Sequence, residues 1–140
     1  MGKKVFIDTN ILLDVFLLRE PYCVDAQILL SLVEKKKIKG FISALSICNS
    51  YYIVKKLASV KNALIATGFL LDFFEVVALD KSFIQKAVHS RWEDFEDNVQ
   101  HETALNAQVT LIVTRDPSGF KKSLVPVMTP SQYLGAFIVN

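Results

Sequence analysis

The stretch Lys3-Lys4-Val5-Phe6-Ile7-Asp8-Thr9-Asn10-Ile11-Leu12 decides how this chain is read. A short apolar run that ends in a carboxylate suits a buried strand over residues 3–8. Asn10 follows as the cap of a short helix carrying Ile11, Leu12, Val15 and Phe16 on its apolar side. A strand that passes directly into a helix, with an acid at the junction, sets a pattern that continues down the chain.

Pro21 opens a second helix with Ile28, Leu29, Leu32 and Val33 inward, and the cations of Glu34-Lys35-Lys36-Lys37 complement the dipole at its end. Phe41-Ile42-Ser43 reads as a strand. Residues 44–56 form a helix, with Leu45, Cys48, Tyr52 and Ile53 at helical spacing, and residues 61–72 form another. A weaker strand over residues 75–77 precedes a helix over 81–90 and a long helix over 93–107 with an acidic start. Leu111-Ile112-Val113, flanked by Thr110 and Thr114, is the clearest strand after the first. Val125-Pro126-Val127 reads as an edge strand, because proline removes a ladder donor. Pro130 starts a last helix that buries Tyr133, Leu134 and Phe137.

Short apolar strands alternating with helices require right-handed crossovers and a parallel sheet covered on both faces. The expectation is one α/β domain over residues 1–140, with three layers, α/β/α, around a central parallel sheet of four to five strands. The functional crevice of such a sheet lies beyond the carboxyl ends of its strands.

Composition narrows the class. Hydrophobic residues are 51% and charged residues 21% of the 140, which excludes disorder. The net charge of +2 is too small to mark a nucleic-acid binder by itself. Cys23 and Cys48 sit in apolar surroundings without metal or pairing spacing and read as buried thiols in a reducing compartment. The richest apolar run, residues 63–79, is broken by Asp72 and Glu75, short of the roughly 18 residues a membrane span needs. Asp8, Asn10 and Asp14 interrupt the N-terminal apolar segment, and no small-residue cleavage site follows. A soluble, cytoplasmic protein is expected, with no membrane partner.

Acidic residues gather at the strand ends. Asp8 ends the first strand, and Asp116 lies just past Leu111-Ile112-Val113, so both point into one crevice if those strands are neighbours. Asp94 and Asp97 are three apart at a helix start and lie near one rim, with His101 one turn further along. Carboxylates that converge repel each other unless a cation sits between them, and hard oxygen ligands favour Mg²⁺ or Mn²⁺. Each residue also has a plainer reading. Asp8 can cap the next helix, Asp94 and Asp97 can complement a helix dipole, and Asp116 before Pro117 can be a turn residue. His101 reads as a partly buried polar side chain rather than a ligand. The plainer readings do not explain why the acids converge.

These segments resemble a known family. Val5-Phe6-Ile7-Asp8-Thr9-Asn10-Ile11-Leu12-Leu13-Asp14 resembles the first motif of PIN-domain proteins, and Asp94-Phe95-Glu96-Asp97-Asn98-Val99-Gln100 the third motif of one of their branches. Ile112-Val113-Thr114-Arg115-Asp116 resembles the fourth, and Val127-Met128-Thr129-Pro130 the usual ending. The resemblance implies a metal-dependent endoribonuclease like the toxins of VapC-like toxin–antitoxin pairs. It makes Asp8, Asp97 and Asp116 ligands of one or two Mg²⁺ or Mn²⁺ ions that activate water against an RNA phosphodiester. Asp94, one turn before Asp97, reaches the metal directly or through a water. Glu96, rotated about 100° from Asp97 on a helix, is left outside the site. Thr9, Asn10 and Thr114 flank the ligands and orient carboxylates and waters, or simply serve strand propensity in the case of the two threonines.

One motif departs. The family's second motif places an acid on the helix after the second strand, and here Asn49 stands at that position, with a ligating carbonyl but no charge. Weaker metal binding is expected, and a degenerate PIN domain that binds RNA or a protein without cutting is the alternative. A receiver-like phosphoacceptor would need an acidic pair after the first strand and an aspartate ending a middle strand, and this chain has neither. A single-stranded RNA needs cations beside the acids, for which Lys55, Lys56, Arg115, Lys121 and Lys122 are candidates. Arg115 has pairing with a neighbouring acid as its other reading. Lys35, Lys36 and Lys37 fall at the opposite end of the sheet. Trp92 and Tyr51 serve as stacking surfaces or as core. The cluster Phe69, Leu70, Leu71, Phe73 and Phe74 exceeds what one domain covers, so a homodimer is expected, and an antitoxin partner is conceivable.

Overall fold

A computed structural model describes residues 4–139, and the side chains of residues 137–139 lie outside that description, including the expected burial of Phe137. Five parallel strands form one sheet in the order β3-β2-β1-β4-β5. They are β1 (Lys4–Ile7), β2 (Lys39–Ser43), β3 (Glu75–Val77), β4 (Leu111–Val113) and β5 (Val127–Met128). Between and after them run α1 (Thr9–Phe16), α2 (Cys23–Glu34), α3 (Ala44–Leu57), α4 (Val60–Phe73), α5 (Lys81–Ser90), α6 (Phe95–Asn106) and α7 (Pro130–Val139). The fold is the expected three-layer α/β/α architecture. Among the described residues, no helix is long and apolar enough to cross a membrane.

Alternation along the strands builds the two apolar layers. Val5, Ile7, Ile42, Leu111 and Val113 face one way and pack with Leu12 of α1, Leu29 and Val33 of α2, Leu70 of α4 and Tyr133 of α7. Phe6, Phe41 and Ile112 face the other way and pack with Ala104 of α6, Phe120 and Val125. Both layers cover the central strands, which is why Val5-Phe6-Ile7 of β1 and all of β4 are apolar and buried. Gly40 lies within β2 where a Cβ would stand 2.7 Å from the Phe74 ring and 2.9 Å from Val33. That close approach accounts for a glycine inside a strand.

Several boundaries differ from expectation. Asp8 rather than Asn10 caps α1: its backbone is extended and its carboxylate accepts from the Thr9 N–H at 2.9 Å. Its own N–H continues the ladder to the Val113 carbonyl at 3.0 Å, so the strand ends where the helix begins. Pro21 lies two residues before α2, whose buried side is Cys23, Ala26, Leu29, Leu30 and Val33, while Ile28 is exposed. On α3 the buried stripe is Ser46, Ser50 and Val54, and the larger Cys48 and Tyr52 are exposed. Small serines bring that helix close to its neighbours, so size rather than apolarity sets which side faces in. The expected burial of Cys48 is therefore wrong, and that of Cys23 right. The edge strand lies one residue past the Pro126 reading, at Val127–Met128.

Candidate active site

The sheet order reverses between β1 and β4, the two strands that ladder side by side with Ile7 opposite Val113. A crevice opens past the carboxyl ends of strands at such a point. Asp8 and Thr114 are the next residues on the two strands, and they meet. The Thr114 hydroxyl donates to Asp8 Oδ2 at 2.8 Å, while the same oxygen of Thr114 accepts from the Asp116 N–H at 3.2 Å. One buried hydroxyl thus ties the first acid to the turn that carries the second. Asp116 is exposed at the start of a short 3₁₀ turn, Pro117–Phe120, and receives a hydrogen bond from the Ser118 hydroxyl.

The remaining acids come from the start of α6. Asp94 is its N-cap and accepts from the Asp97 N–H at 3.0 Å, so the dipole-and-cap reading of that residue is correct as local structure. Asp97 is half-buried in the crevice. Glu96, expected outside the site, lines the same cleft as Asp8, Asn49, Asp94 and Asp97. Its Oε1 accepts from Asn49 Nδ2 at 3.2 Å. The rotation argument failed because Glu96 lies in the first turn beside α3, where the far side of the helix still borders the cleft. Asn49 stands where an acid was expected, and an acid from the facing helix is paired with it.

Below the acids lies a buried polar cluster that no motif announced. The Ser43 hydroxyl donates to Gln100 Oε1 at 2.6 Å, and Gln100 Nε2 donates to Ser46 Oγ at 2.9 Å and to Thr9 Oγ1 at 3.3 Å. Thr9 and Ser46 hydroxyls are 2.6 Å apart. These bonds lock the starts of α1 and α3 to the middle of α6. The signal available in the sequence was Gln100 two turns after the cap Asp94 on the inner side of α6. Asn10, by contrast, is exposed and only lines the rim.

Crowded acids resist ionisation. Burial and the neighbouring charges of Asp8, Asp94, Asp116 and Glu96 push the Asp97 carboxyl up to about 7. Burial also raises Asp8, against the pull of hydrogen bonds from Thr114, Thr9 and Gln100, and burial with Asp94 and Asp8 raises Glu96. Among the described residues, no three His, Cys, Asp or Glu side chains are already gathered as they would be around an ion. The donor set nonetheless fits a hard divalent cation. All its donors are oxygens, and their mutual repulsion is what a cation would relieve. Gly119 keeps space open beside them: a Cβ there would collide with Asp97 Oδ2 and lie 3.8 Å from Asp116 Oδ2. Asp8, Asp97 and Asp116 could hold such an ion, with Asp94 and Asn49 lining the cleft on the Asp8 side.

The expected cations divide. Lys121 and Lys122 line a cleft with Asp97, Asp116 and Trp92. Lys55 is exposed on the last turn of α3 and lines neither cleft, and Lys56 shares that exposure. Arg115 is committed elsewhere. Its Nε lies 3.0 Å from Asp14 Oδ2, and its guanidinium sits 4.1 Å from the centre of the Tyr22 ring. Asp14 is 1% exposed, and burial raises its carboxyl while Arg115 and Arg19 draw it back. Of the two readings of Arg115, pairing with an acid is the one realised. His101 Nε2 accepts from the Leu124 N–H at 3.0 Å, and its ring stacks 4.7 Å from Trp92, so it is a packed core histidine. Tyr51 is half-buried against the Leu13, Val54 and Ala63 cluster. Lys36 and Lys37 line a separate groove at the other end of the sheet, as expected.

Comparison with known proteins follows the same lines. The sequence model of the PIN domain matches residues 4–118. Ribonuclease VapC1 of Aquifex aeolicus is 26% identical over 141 residues, spanning 94% of each chain. A toxin–antitoxin complex from Klebsiella pneumoniae superposes with a TM-score of 0.66 at 22% identity, over 90% of this chain and 97% of that one. Mycobacterium tuberculosis VapC20, a toxin that cleaves the sarcin–ricin loop, superposes with a TM-score of 0.69 at 12% identity, over 86% and 96%.

Proposed function

The chain belongs to the PIN-domain family, and from that premise we propose that it is a metal-dependent endoribonuclease acting on single-stranded RNA as the toxin of a toxin–antitoxin pair. The observation that carries the reading is that Asp8 at the end of β1 and Asp116 past the end of β4 both bear on Asp97 of α6, whose carboxyl burial and these neighbouring charges lift to about 7. The likeness to a ribonuclease of the same family supports the reaction class, and the likeness to a toxin–antitoxin complex supports the partner.

In this reading Asp8, Asp97 and Asp116 hold Mg²⁺ or Mn²⁺, with Asp94 reaching it directly or through water and Asn49 offering a neutral oxygen. When bound, the ion polarises the phosphoryl oxygen and acidifies the attacking water. The protein's part is orientation. Thr114 fixes the Asp8 carboxylate and the Asp116 turn together, and the Ser43, Ser46 and Gln100 cluster holds Thr9 and α6 in register. One water adds across the phosphodiester: its oxygen bonds to phosphorus, one ester P–O bond breaks, and a proton ends on the leaving oxygen. Lys121 and Lys122 attract the backbone phosphates. The exposed Leu64, Ile65 and Leu71 on α4 support a protein-covered face, as a homodimer or against the antitoxin, in the cytoplasm.

The test is cleavage of single-stranded RNA with Mn²⁺ or Mg²⁺, and with a chelator. Cutting that needs the ion, and that rises when Asn49→Asp restores a charge, is the expected result. RNA binding without cutting under either ion would replace this reading with a binding PIN domain.

A further inference from the structure

The carboxylates lie on the border between two clefts, one furnished with cations and one without. Asp94 and Asp97 line both. On one side a cleft of about 600 Å³ carries Arg91, Lys121 and Lys122 around Trp92. On the other, a cleft of about 410 Å³ sets Asn10, Asn49 and Tyr52 beside the acids Asp8, Asp94, Glu96 and Asp97, with no lysine or arginine. We propose that a single RNA strand crosses the acids from one cleft to the other, its phosphates held in the cleft that carries Arg91, Lys121 and Lys122 and a base read in the one that carries no cation. The inference rests on the ribonuclease reading and adds to it where sequence preference resides.

Every phosphate flanking the cut approaches a cluster of acids, and on the Trp92 side three cations offset that repulsion. Such contacts carry no sequence information. Trp92 is itself packed, 4.7 Å from the His101 ring and 5.9 Å from Phe120, so it forms a wall rather than a free stacking partner. On the other side nothing compensates a phosphate, which leaves the base as the part of the nucleotide that fits. Tyr52 is 62% exposed there, an available aromatic face. The exposed Asn10 adds an amide that can donate and accept at a base edge, and an aromatic face with such a group is the combination through which unpaired bases are recognised. Arg115, the cation nearest Asp116 in sequence, is withdrawn from both clefts by Asp14.

Cleavage and binding of RNA oligonucleotides varied in turn at each flanking base, over a salt series, test this directly. Lys121→Ala with Lys122→Ala should lower kcat/KM about tenfold at moderate salt and flatten the salt dependence by roughly one to two phosphate contacts, with base preference unchanged. Tyr52→Ala should erase about tenfold of preference at one flanking position and leave the salt slope alone. All three side chains are exposed, so these variants retain the fold. A Tyr52→Ala profile identical to wild type, or a lysine variant that changes base preference, overturns the proposal. Binding isotherms keep the outcomes separate: the same split seen in binding by a chain that does not cut would overturn the nuclease reading and uphold the two subsites.

Discussion

Gly40 and Gly119 both lack a Cβ for want of room, and the atoms they would strike differ in kind. At Gly40 the obstacle is a ring and a branched side chain packed in the core, so Gly40→Ala should cost about 1–3 kcal/mol and lower Tm by several degrees. At Gly119 the obstacle is the carboxylate end of Asp97, which can rotate away. Gly119→Ala should therefore leave Tm within about 2 °C of wild type while raising the Mn²⁺ concentration for half-maximal cleavage several-fold. Thermal melts beside metal titrations separate the two. Asp97 also gives a sign for pH. Its folded value of about 7 exceeds the ordinary 3.8, so between those values the folded chain holds a proton that the unfolded chain releases. Metal-free stability should fall as pH rises through that window, and Asp97→Asn should remove part of the slope. A divalent ion must displace that proton, so its affinity should gain up to about tenfold per pH unit below 7 and level off above. Calorimetry at several pH values checks this.

Between elements, the hydroxyl of Thr114 and the pair Asp14–Arg115 join α1, β1 and β4 at their active ends. Asp14 is buried and its other cation, Arg19, stands 3.9 Å from Oδ1, so Arg115→Ala leaves a core charge with only that longer pairing. That variant should lose about 3 kcal/mol, and adding Asp14→Leu should recover most of it, as equilibrium denaturation would measure. A phosphate-binding arginine would show the opposite pattern, with stability intact and RNA binding weakened. The strands and the acids at their ends were legible from the sequence, because β1 and β4 are short, apolar and bounded by polar residues. On α2 Leu29 and Val33 were placed correctly and Ile28 was not, while the inward stripe of α3 was missed. Helical periodicity marks apolar positions, and on α3 the inward residues are serines chosen for close approach, while Tyr52 points to solvent. Glu96 was misplaced for a related reason: an angle around one helix says nothing about the neighbour that closes the cleft.

For the molecule as a whole, strand order carried what local pattern could not. Asp8 and Asp116 are far apart in sequence, and only the adjacency of β1 and β4 brings them to one crevice. The polar cluster around Gln100 arises in the same way, from the starts of α1 and α3 meeting the middle of α6, and short-range reading had no access to it. The apolar surface left on α4, with Leu64, Ile65 and Leu71 exposed, predicts self-association. Light scattering at micromolar concentration should give a mass near twice 15.7 kDa, and a monomer there would contradict it. The most direct measurement of the central claim is RNA cleavage with Mn²⁺ by wild type, Asp8→Asn and Asp116→Asn side by side. The account predicts ion-dependent cutting by wild type and a loss of at least a hundredfold in each variant. Equal cutting by all three, or cutting by wild type that persists in chelator, would contradict it.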